Sequence, residues 1–86
     1  MKFRGALIKE QGVKFAIVVV QRNVIQSPTQ RESAQRGFGS AFPGVPVVLM
    51  AQDTRGVPTY WGRPDLVRFL AKVPMQAIPW KEYRAA

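Results

Sequence analysis

Few side chains in this sequence could act as nucleophiles, general bases or metal ligands. The 86 residues include no cysteine and no histidine, which excludes thiolate chemistry and removes the commonest general base and metal ligand. The carboxylates are scattered, and no two have a spacing that suggests an acid–base pair; they are Glu10, Glu32, Asp53, Asp65 and Glu82. The sequence therefore predicts that the chain is not an enzyme and uses no metal or cofactor.

Positive charge is the strongest chemical bias of the chain. Thirteen lysine and arginine residues stand against five acidic ones, a net charge of +8, and such an excess favours anionic partners. The charges are dispersed, without the basic run that is typical of a nucleic-acid-binding arm. In a predicted N-terminal hairpin, Lys2, Arg4 and Lys14 would form a basic surface on one face. The neighbouring residues there are small and aliphatic, which counts against an RNA-binding sheet of aromatic rings.

The apolar pattern predicts four strands in two antiparallel pairs. The first pair covers residues 2–9 and 13–20, joined by the loop Glu10-Gln11-Gly12, which would place Lys9 opposite Val13. The second pair covers residues 45–52 and 57–61, and the turn Asp53-Thr54-Arg55-Gly56 joins its strands. The runs 15–20 and 45–52 are apolar on both faces, which is typical of interior strands.

Two helices are expected between and after these strands. Ser27-Pro28-Thr29-Gln30 has the pattern of a capped helix start, and the polar helix would cover residues 28–36. The second helix covers residues 64–73 and presents one apolar stripe, formed by Leu66, Phe69, Leu70 and Val73. Residues 74–86 contain two prolines and are expected to form an irregular tail.

The resulting order, ββαββα, predicts an α/β domain spanning residues 1–86, with an α+β two-layer arrangement. A right-handed parallel crossover would join the second and third strands, giving a four-stranded mixed sheet of order 1-2-3-4. The longest apolar run is too short to span a bilayer, and the N-terminus lacks a secretory apolar segment. We therefore expect a cytoplasmic protein that does not bind membranes.

Three motifs resemble those of thioredoxin-fold proteins. Gly44-Val45-Pro46-Val47 is similar to the loop whose cis-proline precedes the third core strand of that family. Trp61-Gly62-Arg63-Pro64-Asp65-Leu66 is similar to the glycine turn that opens the last helix and that, in glutaredoxins, helps to hold glutathione. Ser27-Pro28-Thr29-Gln30 stands where a glutaredoxin carries Cys-Pro-x-Cys. The chain departs from the family in length, and Ser27 and Gln30 occupy both cysteine positions.

The resemblance implies a thioredoxin-like fold and a cis Val45–Pro46 bond, without the redox activity. It also implies a set of binding residues, namely Ser27, Val45, Pro46, Trp61, Arg63 and Asp65. Each has a structural explanation beside this one, such as a helix cap for Ser27 and a first-turn acid for Asp65.

The function expected from these observations is that of a small, basic, non-catalytic binding module that contacts another protein or itself. The alternatives are a nucleic-acid-binding domain that depends on net charge and a degenerate glutathione-binding protein. If both helices lie on one side of the sheet, the other side would expose an apolar patch through which two copies could form a homodimer. That patch would comprise Ala6, Ile8, Ala16, Val18 and Val20.

Overall fold

The computed structural model describes residues 2–10 and 12–84, and one mixed β-sheet lies at the centre of the fold. In these ranges the strands are β1 (Lys2–Glu10), β2 (Val13–Val19), β3 (Val47–Gln52), β4 (Pro58–Trp61) and β5 (Lys81–Arg84). The helices are α1 (Arg22–Gln26), α2 (Pro28–Gly39) and α3 (Pro64–Leu70), with a 3₁₀ turn at Met75–Ala77. The sheet order is β4-β3-β2-β1-β5, in which β2 and β3 are parallel and the other neighbours antiparallel. The predicted mixed α/β architecture is confirmed, and the first four strands lie in the predicted order.

The predicted four-stranded sheet is wrong in one respect, because part of the tail forms a fifth strand. Lys81–Arg84 pairs antiparallel with residues 2–5 of β1. Its anchor is Tyr83, which lies opposite Phe3 and stacks on that ring with 5.6 Å between the centroids. The strand was not predicted because it is four residues long and has one apolar side chain, which is too little alternation to indicate a strand.

The hairpin between β1 and β2 differs from the prediction by one residue. Glu10 pairs with Val13 and Lys9 with Lys14, so two residues rather than three separate the strands. Gly12 has a φ of 80°, a left-handed value that glycine adopts without steric cost and that two-residue hairpin turns require. A shift of one residue moves the side chains of a strand to the opposite face relative to its neighbour.

Helices cover both faces of the sheet, which corrects the predicted two-layer arrangement. The face under α1 and α2, here called the α2 face, bears Phe3, Ala16, Val18, Val47 and Leu49. The face under α3 and the 3₁₀ turn, here called the α3 face, bears Ala6, Phe15, Ile17, Val48 and Met50. The predicted open apolar patch does not exist, because Ala6 lies on a different face from Ala16 and Val18. All three are fully buried.

Helix α2 begins with the side-chain cap that its sequence indicates. The Ser27 hydroxyl accepts a hydrogen bond from the Gln30 backbone N–H at 3.3 Å, so the predicted cap is confirmed. Helix α2 has no buried residue, and the Gln35 side-chain amide ties it to the sheet by donating to the Val47 carbonyl at 2.9 Å. Helix α3 docks through Leu66 and Leu70, which are buried.

The remaining differences from the prediction concern the number and length of the helices. Helix α1 was not predicted, α2 extends to Gly39, and α3 ends at Leu70. Among the described residues, no helix has both the length and the apolar character needed to cross a membrane.

Candidate binding surface

Ser27 and Trp61 stabilise the packing of α2 in this structure. Ser27 is the N-cap already described, and the backbone N–H of Arg31 donates to its carbonyl at 2.9 Å. The Arg31 guanidinium lies 5.0 Å from the centre of the Trp61 ring and donates to the Ile25 carbonyl at 3.2 Å. The chain's own cation therefore occupies the face of Trp61 that a ligand would need.

Val45 and Pro46 form the entry to β3, and the expectation of a cis bond between them is wrong. The described residues contain no cis peptide bond, in line with the preference of about 0.5–1 kcal/mol for trans at X–Pro. The Pro46 carbonyl accepts a hydrogen bond from the Ala16 N–H at 2.9 Å, which extends the pairing of β2 with β3. Pro46 thus has a structural role in the sheet, and Val45 packs against the core on the α2 face.

Arg63 and Asp65 form a two-point ion pair at the start of α3. Arg63 Nε and a terminal guanidinium nitrogen each donate to one Asp65 carboxylate oxygen at 2.8 Å. The hydrogen bonds from Arg63 lower the Asp65 pKa from its ordinary 3.8 to about 2 and raise the pKa of Arg63. Asp65 is therefore ionised near neutral pH and already paired, an arrangement unsuited to general-acid chemistry.

These predicted residues come from adjacent segments but do not form one polar site. Trp61 pairs with Leu49, and a Cβ built on Gly62 would lie 3.2 Å from the Val48 Cα, so the start of β3 lies beside residues 61 and 62. Within residues 2–10 and 12–84, no hydrogen bond or ion pair joins Ser27 or Pro46 to Arg63 or Asp65.

The predicted basic surface is divided between the two faces of the sheet. Lys2 and Arg4 alternate with Phe3 and therefore lie on the α3 face, where Lys2 Nζ is 3.7 Å from the Glu82 carboxylate. Lys14 lies directly opposite Lys9, on the α2 face. The one-residue shift of the hairpin accounts for this correction, because it moves Lys14 away from Lys2 and Arg4.

The same shift assembles a different basic group, which we call the lysine strip: Lys9, Lys14 and Lys81, with Leu7 between them. All four side chains are exposed and lie on the α2 face, since Lys81 is opposite Gly5 and Leu7 is opposite Ala16. The acidic residues of β1 and β5, Glu10 and Glu82, point to the α3 face. The strip therefore carries charges of one sign. The sequence alone did not predict it, because its members come together only through the pairing of the strands.

The strip adjoins an open edge of the sheet. Strand β5 pairs with residues 2–5 of β1, and the outer edge of residues 6–10 has no backbone partner among the described residues. The other edge of the sheet is β4, which has four residues and begins at Pro58; short strands and prolines are the usual protection of an edge. The open edge of β1 has neither device, and its exposed side chains on the α2 face are Leu7 and Lys9; a lysine there discourages pairing with a second edge of like charge.

The surface combines charged, apolar and backbone hydrogen-bonding groups. Across the two described ranges, no group of three or more metal-ligating side chains comes together. The strip offers ammonium groups, one exposed aliphatic side chain and free backbone donors and acceptors. No family model, curated protein or solved structure matches this chain, and the thioredoxin-like resemblance stays a prediction.

Proposed function

We propose that this chain is a non-catalytic binding module that holds an acidic, extended segment of a partner protein. The segment pairs with the open edge of β1 and places carboxylates against the lysine strip. The observation that carries this proposal is that three lysines share one face at an unpaired strand edge, with Lys9 on the edge strand, Lys14 opposite it on β2 and Lys81 at the start of β5. Main-chain pairing of this kind supplies affinity, and side chains on alternate positions supply specificity.

The geometry defines what such a segment would contain. It would lie along residues 6–10 of β1, on the side where β5 occupies only residues 2–5. Its side chains would alternate between the two faces of the sheet. Those on the α2 face would meet Leu7 and Lys9, whereas those on the α3 face would lie beside Ile8, which is half-buried among apolar residues. Alternating acidic and aliphatic residues fit both environments.

A second copy of the chain fits this edge less well. Antiparallel pairing of two β1 strands around Ile8 would place Lys9 of each copy opposite Leu7 of the other. The two lysine strips would then run side by side, and like charges across a sheet are unfavourable. An acidic partner neutralises the strip, whereas a homodimer doubles its charge.

Nucleic acid is also less favoured, because the aromatic rings near the strip are already engaged. Phe3 and Tyr83 stack on each other, Phe42 meets both rings edge-on, and the Lys81 ammonium lies 4.9 Å from the centre of the Tyr83 ring. Recognition of single-stranded nucleic acid depends on ring faces that are free to stack with bases.

Binding of a synthetic peptide with alternating glutamate and valine tests the proposal by fluorescence anisotropy. Three exposed charge pairs of about 0.2–1 kcal/mol each predict that a triple variant, with Lys9, Lys14 and Lys81 changed to glutamine, binds roughly 3- to 150-fold more weakly. A control variant with Arg22, Arg55 and Lys72 changed to glutamine has the same net charge, since each variant loses three of the +8 charges. The control should retain wild-type affinity within about twofold.

Hydrogen exchange locates the bound peptide, since pairing with the edge of β1 should protect amides within residues 6–10. Equal losses of affinity in the two triple variants would show a nonspecific charge effect and contradict the proposal. Binding that depends on the strip for single-stranded DNA but not for the peptide would favour the nucleic-acid alternative. Sedimentation of the free chain as a dimer with a protected β1 edge would favour a second copy.

A further inference from the structure

A cleft of about 350 Å³ opens on the α3 face, on the side of the sheet opposite the lysine strip. Its lining includes Arg4, Val19, Met50, Gln52, Met75 and Trp80. The volume falls in the range of small-molecule sites, and the wall combines apolar side chains with polar ones, as such sites do. The cleft lies where the parallel strands β2 and β3 end, which is where open α/β sheets commonly bind ligands.

Two polar side chains that line this cleft, those of Gln52 and Trp80, already have partners within the chain. The Trp80 indole N–H donates to the Met75 carbonyl at 3.0 Å, so the indole is held in place. The Gln52 side-chain amide donates to the Gly56 carbonyl at 3.1 Å and lies 3.4 Å from the Met75 sulfur. These contacts fix one wall of the cleft and leave the apolar surfaces of Met75 and Trp80 available to a ligand.

Arg4 is the charged residue in the lining of this cleft. Within residues 2–10 and 12–84, its guanidinium makes no hydrogen bond or ion pair. Glu82 lies directly opposite Arg4 on β5, but its carboxylate is 3.7 Å from the Lys2 ammonium. The guanidinium therefore offers a planar set of donors that suits a carboxylate or sulfonate.

We propose that this cleft binds a small amphiphilic monoanion, with its carboxylate or sulfonate on Arg4 and its aromatic or branched aliphatic body against Met75 and Trp80. Two methionines, Met50 and Met75, make the wall adaptable to ligand shape, because a methionine side chain is flexible and polarisable. This site is separate from the lysine strip, since the two lie on opposite faces of the sheet.

The probe for this proposal is 8-anilinonaphthalene-1-sulfonate, with N-phenyl-1-naphthylamine as the same ring system without the charge. Arg4→Gln should weaken sulfonate binding about tenfold, whereas Lys14→Gln, which removes one charge from the opposite face, should change it less than about twofold. Neither substitution should affect the uncharged probe. Nuclear magnetic resonance provides an internal control, because the indole N–H signal of Trp80 should shift on binding while that of Trp61 stays unchanged.

Three outcomes would overturn the inference: no binding of the sulfonate at millimolar concentration, equal weakening by Arg4→Gln and Lys14→Gln, or a shift of the Trp61 signal alone. Matching thermal unfolding curves for all variants exclude misfolding as the source of a difference. Sulfonate binding measured in the lysine-strip triple variant separates the two proposals. The triple variant should lose the acidic peptide and keep the sulfonate, so either proposal can fail without the other.

Discussion

Replacement of Gly5 by alanine tests whether β1 and β2 approach each other as closely as the structure indicates. Gly5 lies in β1, opposite Val18 on one side and Lys81 on the other. A Cβ at this position would lie 2.5 Å from the Ile17 carbonyl oxygen and 3.7 Å from an edge carbon of the Phe3 ring. The oxygen belongs to the backbone, so the contact cannot be relieved by rotating a side chain.

The expected loss follows from two opposing effects. Overpacking a close-packed region costs about 1–3 kcal/mol, whereas alanine reduces the entropy of the unfolded chain and returns about 0.4–1 kcal/mol where its backbone is unstrained. The net loss for Gly5→Ala is therefore about 1–2 kcal/mol. For a domain of this size, that corresponds to a decrease in Tm of about 4–16 °C.

Thermal unfolding followed by circular dichroism measures the effect, and Gly37→Ala is the matched control. A Cβ on Gly37 would meet nothing within 4 Å, and the residue lies inside α2. The same chemical change should there stabilise the fold by about 0.5–1 kcal/mol, because alanine favours helices over glycine. A Gly5→Ala variant that melts at or above the wild-type temperature would refute the close approach, as would equal destabilisation by the two substitutions.

Two further predictions concern α3. Leu70 is 1% exposed, whereas Phe69 is half-buried. Leu70→Ala should therefore lower the free energy of unfolding by about 2–5 kcal/mol, and Phe69→Ala should lower it less. Urea unfolding measures both losses, and a larger loss for Phe69→Ala would contradict the observed docking of the helix. Because Arg63 lowers the Asp65 pKa to about 2 from 3.8, the ion pair should stabilise the fold above about pH 4 and lose its effect as the pH falls towards 2. The difference in Tm between wild type and Asp65→Asn should therefore be largest near neutral pH and close over that interval, and a carboxyl titration midpoint near the ordinary value would contradict the pairing.

The strands that the sequence predicts well are those with a strong apolar signal. Residues 15–20 and 45–52 were placed in the sheet interior because both faces of each run are apolar, and β2 and β3 are indeed central. The capped start of α2 was predictable because Ser27 and Pro28 act locally, through one hydrogen bond and one fixed φ. These features depend on neighbouring residues and not on the rest of the fold.

The features that escaped prediction depend on pairing between distant segments. Lys81–Arg84 becomes a strand because Phe3 and Tyr83 meet across the sheet, and neither residue indicates this partner from its own neighbourhood. The sequence also does not indicate which face of the sheet α3 covers. Leu66 and Leu70 show which side of the helix is buried, but not which side of the sheet it packs against. Long-range packing decides both.

The candidate site, too, was predictable from the sequence only in part. Its basic character follows from composition. The set of residues that form it does not, because Lys14 shares a face with Lys9 when two residues form the turn between β1 and β2, and with Arg4 when three residues form it. Since the side chains of a strand alternate, this single residue decides which charges share a face.

The pairing of Lys9 with Lys14 is the strongest reason to regard the lysine strip as functional. Like charges directly opposite each other are destabilising, and a small domain without disulfides has little stability to spare. Many polar residues at either position would remove the repulsion without affecting the core, because both side chains are exposed. Positions where local chemistry opposes stability without a gain in packing are those where function is expected. An acidic partner turns this repulsion into attraction, since carboxylates placed beside Lys9 and Lys14 neutralise the two charges that the free chain holds side by side.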